Sequence, residues 1–225
     1  MVNSIYSINT KKYGNIENIF HNNKYFLLKI FTNLIFQILV TYYITFNVEA
    51  QLLSKNIYFY ALLIFQFCVI FTLAMNRDMH TYFKFFLITL FSVCWGLLLT
   101  RIKNYTSPEI IKTAIIGVLS IFITMFCIGV LLIICGIKLE NATHTFLSCA
   151  LLFVIISFIV IILMKKYNTF HKSIAVVIIT IMSLYIIYDT HDILHRHYKG
   201  DFITASIDYY LDILNIFVGL INFQI

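Results

Sequence analysis

The stretch Ile174–Tyr188, IAVVIITIMSLYIIY, runs for 15 residues without a charge and then meets Asp189-Thr190-His191-Asp192. At 1.5 Å per residue that run covers only about 22 Å, too short to cross about 30 Å of hydrocarbon untilted. Continuing the helix to Ile193 supplies the missing length and draws Asp189 inside the membrane boundary. The alternative is that Asp189 opens a loop in a locally thinned bilayer. An ionised carboxylate near a bilayer centre costs roughly 2.5 to 3.5 kcal/mol on insertion scales, so it normally lines a pathway or meets a partner. A second aspartate, Asp212, lies in the last apolar stretch, and function is sought first at these two residues.

The rest of the chain supports a membrane reading. Apolar residues make up 61% of 225 and charged residues 12%, with a mean hydropathy of +0.91, against roughly 25% charged in a soluble domain. Seven windows are long enough to cross a bilayer: Phe26–Phe46, Ile57–Ala74, Tyr82–Thr100, Ala114–Ile137, Phe146–Met164, Ile174 to about Ile193, and Ile203–Ile225. Residues 1–24 form a polar segment without the apolar core and cleavage site of a removable signal peptide. Connectors such as Lys138–Thr145 and Lys165–Lys172 are too short to fold alone, and the sole proline, Pro108, falls in a connector. The expected fold is an all-α integral membrane protein, one seven-helix bundle over residues 25–225.

The seventh window is patterned. Asp201, Ala205, Asp208, Asp212, Asn215, Gly219 and Asn222 recur at steps of four and three and form one helical stripe. Such a stripe faces a bundle interior, because lipid offers its donors and acceptors nothing. Small-residue packing accounts for Ala205 and Gly219; it does not account for two carboxylates. A weaker stripe in the first window, Lys29, Asn33, Gln37 and Thr41, is placed to face the same interior.

Several functions are excluded or disfavoured. The net charge of +6 is scattered over connectors, which is no nucleic-acid footprint. Positive residues divide nearly evenly between the two sides, so orientation is undetermined. The two Asn-x-Thr sequons, at Asn104 and Asn141, hug the membrane on opposite sides, and neither is expected to be glycosylated. Cys68, Cys94, Cys127, Cys135 and Cys149 contain no Cys-x-x-Cys pair and read as small buried hydrophobes. No glycine-rich phosphate loop or nucleophile elbow occurs.

The stretch Ile187-Tyr188-Asp189-Thr190-His191, followed by Ala205-Ser206-Ile207-Asp208-Tyr209-Tyr210-Leu211-Asp212-Ile213-Leu214-Asn215-Ile216-Phe217, resembles the C-terminal signature of the transmembrane Bax inhibitor motif family. It is similar to the Golgi anti-apoptotic branch in Tyr188-Asp189-Thr190-His191 and to bacterial calcium-leak members in His195-Arg196-His197. Weaker similarity reaches back to Tyr25–Phe46, with Gln37 as a landmark. The resemblance implies a last helix surrounded by the other six, and a pH-sensitive calcium leak that lowers store calcium and suppresses apoptosis. It maps the controlling pair onto Asp189 and Asp212, with Ca²⁺ as permeating ion and no cofactor. Two carboxylates close together in low dielectric cannot both ionise cheaply and will share a proton. The expected mechanism is that the shared proton holds the pathway shut and its loss opens it. Asp208 either attracts cations at the mouth or sits in a hydrated vestibule, and Asn215 is a further pathway candidate. Arg77 matches a latch found in bacterial relatives, or is an interfacial anchor beside Asp78. Where many relatives carry a third-helix glutamate, this chain reads Ser92-Val93-Cys94-Trp95-Gly96. The resemblance places the protein in Golgi or endoplasmic reticulum membrane, or alternatively a bacterial inner membrane. The Ile, Asn, Lys and Tyr bias fits an AT-rich genome such as that of a large DNA virus.

Two other classes compete. His191, Asp192 and His195 form a compact cluster, and His191 with His195 has the four-residue spacing that lets two imidazoles share a metal, as in a seven-helix zinc hydrolase. A non-conducting adaptor would act through contacts with other membrane or apoptosis-regulating proteins. Neither an enzyme nor a metal centre is the favoured expectation.

Overall fold

The computed structural model describes residues 2–49, 56–76, 79–139, 141–164, 167–195, 198 and 200–224, excepting the side chains of 2–20, 22, 56, 74, 141, 154–164 and 167–171. It contains α1 (Val2–Asn47), α2 (Asn56–Met75), α3 (Thr81–Tyr105), α4 (Pro108–Ile134), α5 (Asn141–Met164), α6 (Tyr167–Leu194) and α7 (Phe202–Gln224), and no strand among the described residues. Among the described residues, five helices are long and apolar enough to cross a membrane: α1 from Asn23, α3, α4, α6 from Lys172, and α7. The described apolar parts of α2 and α5 are shorter, Ile57–Leu73 and Ala142–Phe153.

The helices overrun the apolar windows, since a helix continues into the headgroup region where hydropathy drops. α3 runs on to Tyr105, α5 begins at Asn141 and α6 at Tyr167, so the connectors expected around them are partly helical. The fourth helix starts at Pro108 instead of Ala114. Ser107 caps it, its Oγ accepting from the Ile110 amide at 3.4 Å, and Pro108 occupies the first turn, where a missing N–H costs nothing. It stops at Ile134 instead of Ile137 because Gly136 adopts φ +75, and the Ile137 amide turns back to the Leu132 carbonyl at 2.9 Å.

α7 is the axis of the bundle. In its spanning window 61% of residues are buried, against 11% in α4. α6, α1 and α4 pack most heavily against it and α3 touches it, while α2 seats on α3 and α5 on α6. Enclosure by six helices is therefore refined to an inner ring of four with two outside. α7 is not enclosed evenly: Thr204, Asp208, Leu211, Asn215, Val218 and Asn222 make a half-buried face, whereas Ile203, Tyr209, Tyr210 and Ile216 are as buried as Ala205, so the polar stripe is not its most inward face. Tyr209 sits in an aromatic box, its ring 6.3 Å from Phe31 on α1 and 5.3 and 6.5 Å from Phe122 and Phe126 on α4. Such offset and edge contacts add to burial energy.

The outer surface is lipid-facing. Leu28, Ile64, Phe67 and Phe153 are among the many large apolar side chains left open. Of the cysteines only Cys94 is buried; Cys68, Cys127, Cys135 and Cys149 face outward, which hydropathy cannot foresee because lipid and protein core are equally apolar.

Glycines set the closest helix approaches. A Cβ at Gly96 would lie 2.6 Å from Ile44 Cβ and 2.9 Å from the Thr41 carbonyl oxygen, so α3 rides directly on α1. A Cβ at Gly129 would meet Thr190 Cβ at 2.8 Å, pressing α4 onto α6. Gly96→Val is expected to destabilise by about 1–3 kcal/mol through overpacking. Gly117→Ala, whose new carbon meets only the flexible end of Leu220, should stay within about 0.5 kcal/mol. Thermal unfolding of the two variants in detergent, followed by retention of the monodisperse peak, checks the contrast.

Candidate functional site

α6 carries Asp189 five residues before its end, and α7 carries Asp212 about 15 Å from its start at helical rise. The two helices run antiparallel and lie close where Gly219 admits Ile179, a Cβ there being 2.9 Å from Ile179 Cγ1. This brings the two carboxyl groups into hydrogen-bonding contact. Both side chains are buried, at 7% and 5% exposure. An ionised carboxylate only accepts, so the bond requires that one of the two carry a proton. The other oxygen of Asp212, Oδ2, is buried without a hydrogen-bond partner among the described residues.

Two more acids surround the pair. Asp208, one turn before Asp212, acts electrostatically on both members, and Asp192 acts on Asp189. Asp208 is half-buried, and its Oδ2 accepts from the Tyr198 hydroxyl at 2.5 Å. Tyr198 lies in the loop between α6 and α7. Its burial, and then the Asp208 carboxylate, push its phenol well above the ordinary range, so it stays protonated and donating. Asn215 is half-buried on α7, one turn beyond Asp212. Arg77, the latch candidate, lies outside the described residues together with Asp78.

The histidine cluster has a different geometry from the one its spacing suggests. The rings of His191 and His195 stack at 4.2 Å between centroids, and His195 Nδ1 donates to the His191 carbonyl at 2.8 Å. His191 Nε2 accepts from the Leu139 amide at 3.3 Å, which engages a lone pair a metal would need. Among the described residues no three histidine, cysteine or acidic side chains converge as a metal site requires, so His191, Asp192 and His195 do not form the anticipated set.

On α1 the expected inward stripe holds for Asn33, Gln37 and Thr41, which are buried. Lys29 turns outward, its ammonium 5.7 Å from the Phe202 ring centroid, because a cation at that level reaches water more cheaply than it enters the bundle. Ser92 and Gly96, at the level of the missing acid, use their carbonyls to accept from Thr41 and Thr45, each at 3.1 Å, so that face of α3 is committed to α1.

Sequence reasoning missed an ion pair. Lys84, buried inside the first turn of α3, bonds Asp201 at the start of α7. Asp201 also caps α7, accepting from the Thr204 amide at 3.2 Å and its hydroxyl at 2.8 Å. A lone lysine at the edge of an apolar run looks like a snorkelling anchor; only the partner distinguishes the two. Half-burial raises the Asp201 carboxyl, but bonds from Lys84 and Thr204 outweigh it and hold the group below the usual carboxylate range.

A helical membrane bundle, wound around a central helix that shares a buried carboxyl pair with its neighbour, defines the class. Residues 23–224 match the family described as inhibitor of apoptosis-promoting Bax1. The match covers nearly the whole chain, and the protein belongs to this family. Compared with individually curated proteins, the chain has no significant match.

The Lys84–Asp201 pair makes a separable prediction. Asp201→Asn takes the carboxylate away from a buried ammonium and is expected to cost about 3 kcal/mol or more. Lys84→Met should cost less, because the Asp201 side chain keeps 26% exposure. Since Asp201 is held low, its contribution is complete above the unfolded value of about 3.9 and is lost only as pH falls through the lower folded value. The stability gap between wild type and Lys84→Met should therefore be flat from about pH 8 to 5 and close only below about 4. Thermal melts of both proteins across that range would show it.

Proposed function

We propose that this protein is a pH-sensitive calcium leak channel of Golgi or endoplasmic reticulum membrane, which lowers stored calcium and thereby suppresses apoptosis. The observation that carries the reading is the buried, hydrogen-bonded carboxyl pair Asp189–Asp212, with one Asp212 oxygen left without a partner. With one proton between them, the carboxyls join α6 to α7. When that proton leaves, two like charges face each other in a medium of low dielectric, and the contact turns from attraction to repulsion. The same change exposes hard oxygen ligands, which Ca²⁺ prefers. Low pH closes the path and neutral pH opens it.

Asp208, half-buried one turn away, raises the local cation concentration beside the pair, and Asn215 supplies an amide on the other side along α7. Arg77 is the candidate to bind Asp189 in one of the two states. The reading assigns no catalytic residue and no resident cofactor. Family membership supports the apoptosis-inhibiting role through the family's description.

Calcium efflux from liposomes holding the purified protein, measured from acid to neutral pH, tests the reading. Wild type is expected to leak more at neutral pH. Asp212→Asn and Asp189→Asn each remove the repulsion and should flatten the profile. If both variants keep the wild-type flux and pH dependence, the gating role of the pair is wrong. If folded wild-type protein passes no calcium at any pH, the channel itself is wrong, and contacts with other membrane proteins become the basis of the family's activity.

A further inference from the structure

The parallel helices α1, α3 and α7 enclose a polar seam on the side of α7 away from the carboxyl pair. Ser206 and Tyr210 stand about 120° and 160° round the helix from Asp212. The seam begins at Lys84, bonded to Asp201, and ends at Lys103, whose Nζ donates to the Thr45 carbonyl at 2.9 Å. Those two lysines are separated along α3 by about 28 Å, close to the hydrocarbon thickness. Between them Asn33 donates to Ser206 Oγ at 2.5 Å and Gln37 to the same oxygen at 3.4 Å, and Thr41 bonds both the Tyr210 hydroxyl and the Ser92 carbonyl.

Four atoms of this region remain unmatched among the described residues: Asn33 Oδ1, Gln37 Oε1, Ser92 Oγ and Trp95 Nε1, all buried. Trp95 belongs to the same neighbourhood, since the Phe91 ring lies 6.1 Å from Tyr210 and 6.5 Å from Trp95. Buried polar atoms without partners are rare and call for an occupant. The unmatched set contains two acceptors, one donor and a hydroxyl that can do either. A cation would satisfy the amide oxygens and be repelled by the indole N–H; an anion would do the reverse. Water donates to the first and accepts from the second. The lysines at either end also oppose entry of a divalent cation.

We propose that the seam between α1, α3 and α7 binds a file of ordered water, separate from the carboxyl pair. This goes beyond the channel reading and holds whether or not the pair gates calcium.

Tyr209 and Tyr210 provide an internal control. Both are fully buried and both hydroxyls are hydrogen-bonded, Tyr209 to Thr190 at 2.8 Å and Tyr210 to Thr41. Tyr209 is boxed by phenylalanines, whereas Tyr210 lies in the seam. The full chain in lipid nanodiscs, held at acid pH so that the proposed carboxyl path beside Thr190 is shut, is exposed to an X-ray pulse, which makes hydroxyl radicals from bound as well as bulk water, and residue modification is read by mass spectrometry. Tyr210 is expected to be modified about tenfold faster than Tyr209, because only bound water puts radicals beside a side chain that bulk water does not reach. Gln37→Leu should bring the Tyr210 rate down towards that of Tyr209. Trp95→Phe, which removes the indole N–H and keeps an aromatic ring, gives the same readout if the first variant fails to fold. Equal protection of both tyrosines in wild type overturns the proposal, as does a Tyr210 rate unchanged in the folded variants.

Discussion

Inside a bilayer a polar side chain has no water to fall back on, so a helix as polar as α7 exists there only if other helices supply its partners. That requirement organises the molecule. α7, which carries two aspartates, two asparagines, a serine and two tyrosines, is the most enclosed of the spanning helices, while in the strongly apolar α4 only 11% of the spanning window is buried. Several polar groups on α7 are answered from particular neighbours. Asp212 meets α6, Tyr210 and Ser206 meet α1, and Asp201 meets α3. The inner ring of four helices is the set of partners that α7 needs.

The two outer helices follow from the same logic. α2 and α5 have little to offer α7, and they cover α3 and α6 in turn. The described contact of α5 includes Ser148 with Tyr185 at 3.2 Å, an arrangement that ties a peripheral helix to the back of the one bearing Asp189. Close glycine contacts then set how near the inner helices come. Gly129 faces Thr190, immediately after Asp189 in sequence, so the carboxyl on α6 is braced by α4 as well as by α7.

The sequence discloses position along a helix better than direction around it. Seven helices, the inclusion of Asp189 within α6, and the inward set Asn33, Gln37 and Thr41 are all legible from run length and from four-residue steps. Lys29, at the same spacing, points outward, since its long stem lets the charge reach water. Four cysteines face lipid because thiols are apolar enough for either environment. The Lys84–Asp201 pair was invisible, as its members lie 117 residues apart and each has a sufficient local explanation. The histidines were misleading for a related reason. Spacing shows that His191 and His195 share a helical face, but it does not show that Leu139 from another loop engages His191.

Tyr209 and Tyr210 anchor adjoining faces of α7, one in an aromatic box shared with α1 and α4, the other in hydrogen bonds and ring contacts with α1 and α3. Turning α7 about its own axis would dislodge both rings at once. α7 is thus keyed against rotation, and the direction in which Asp212 presents its carboxyl is set by the two rings that precede it on the same helix.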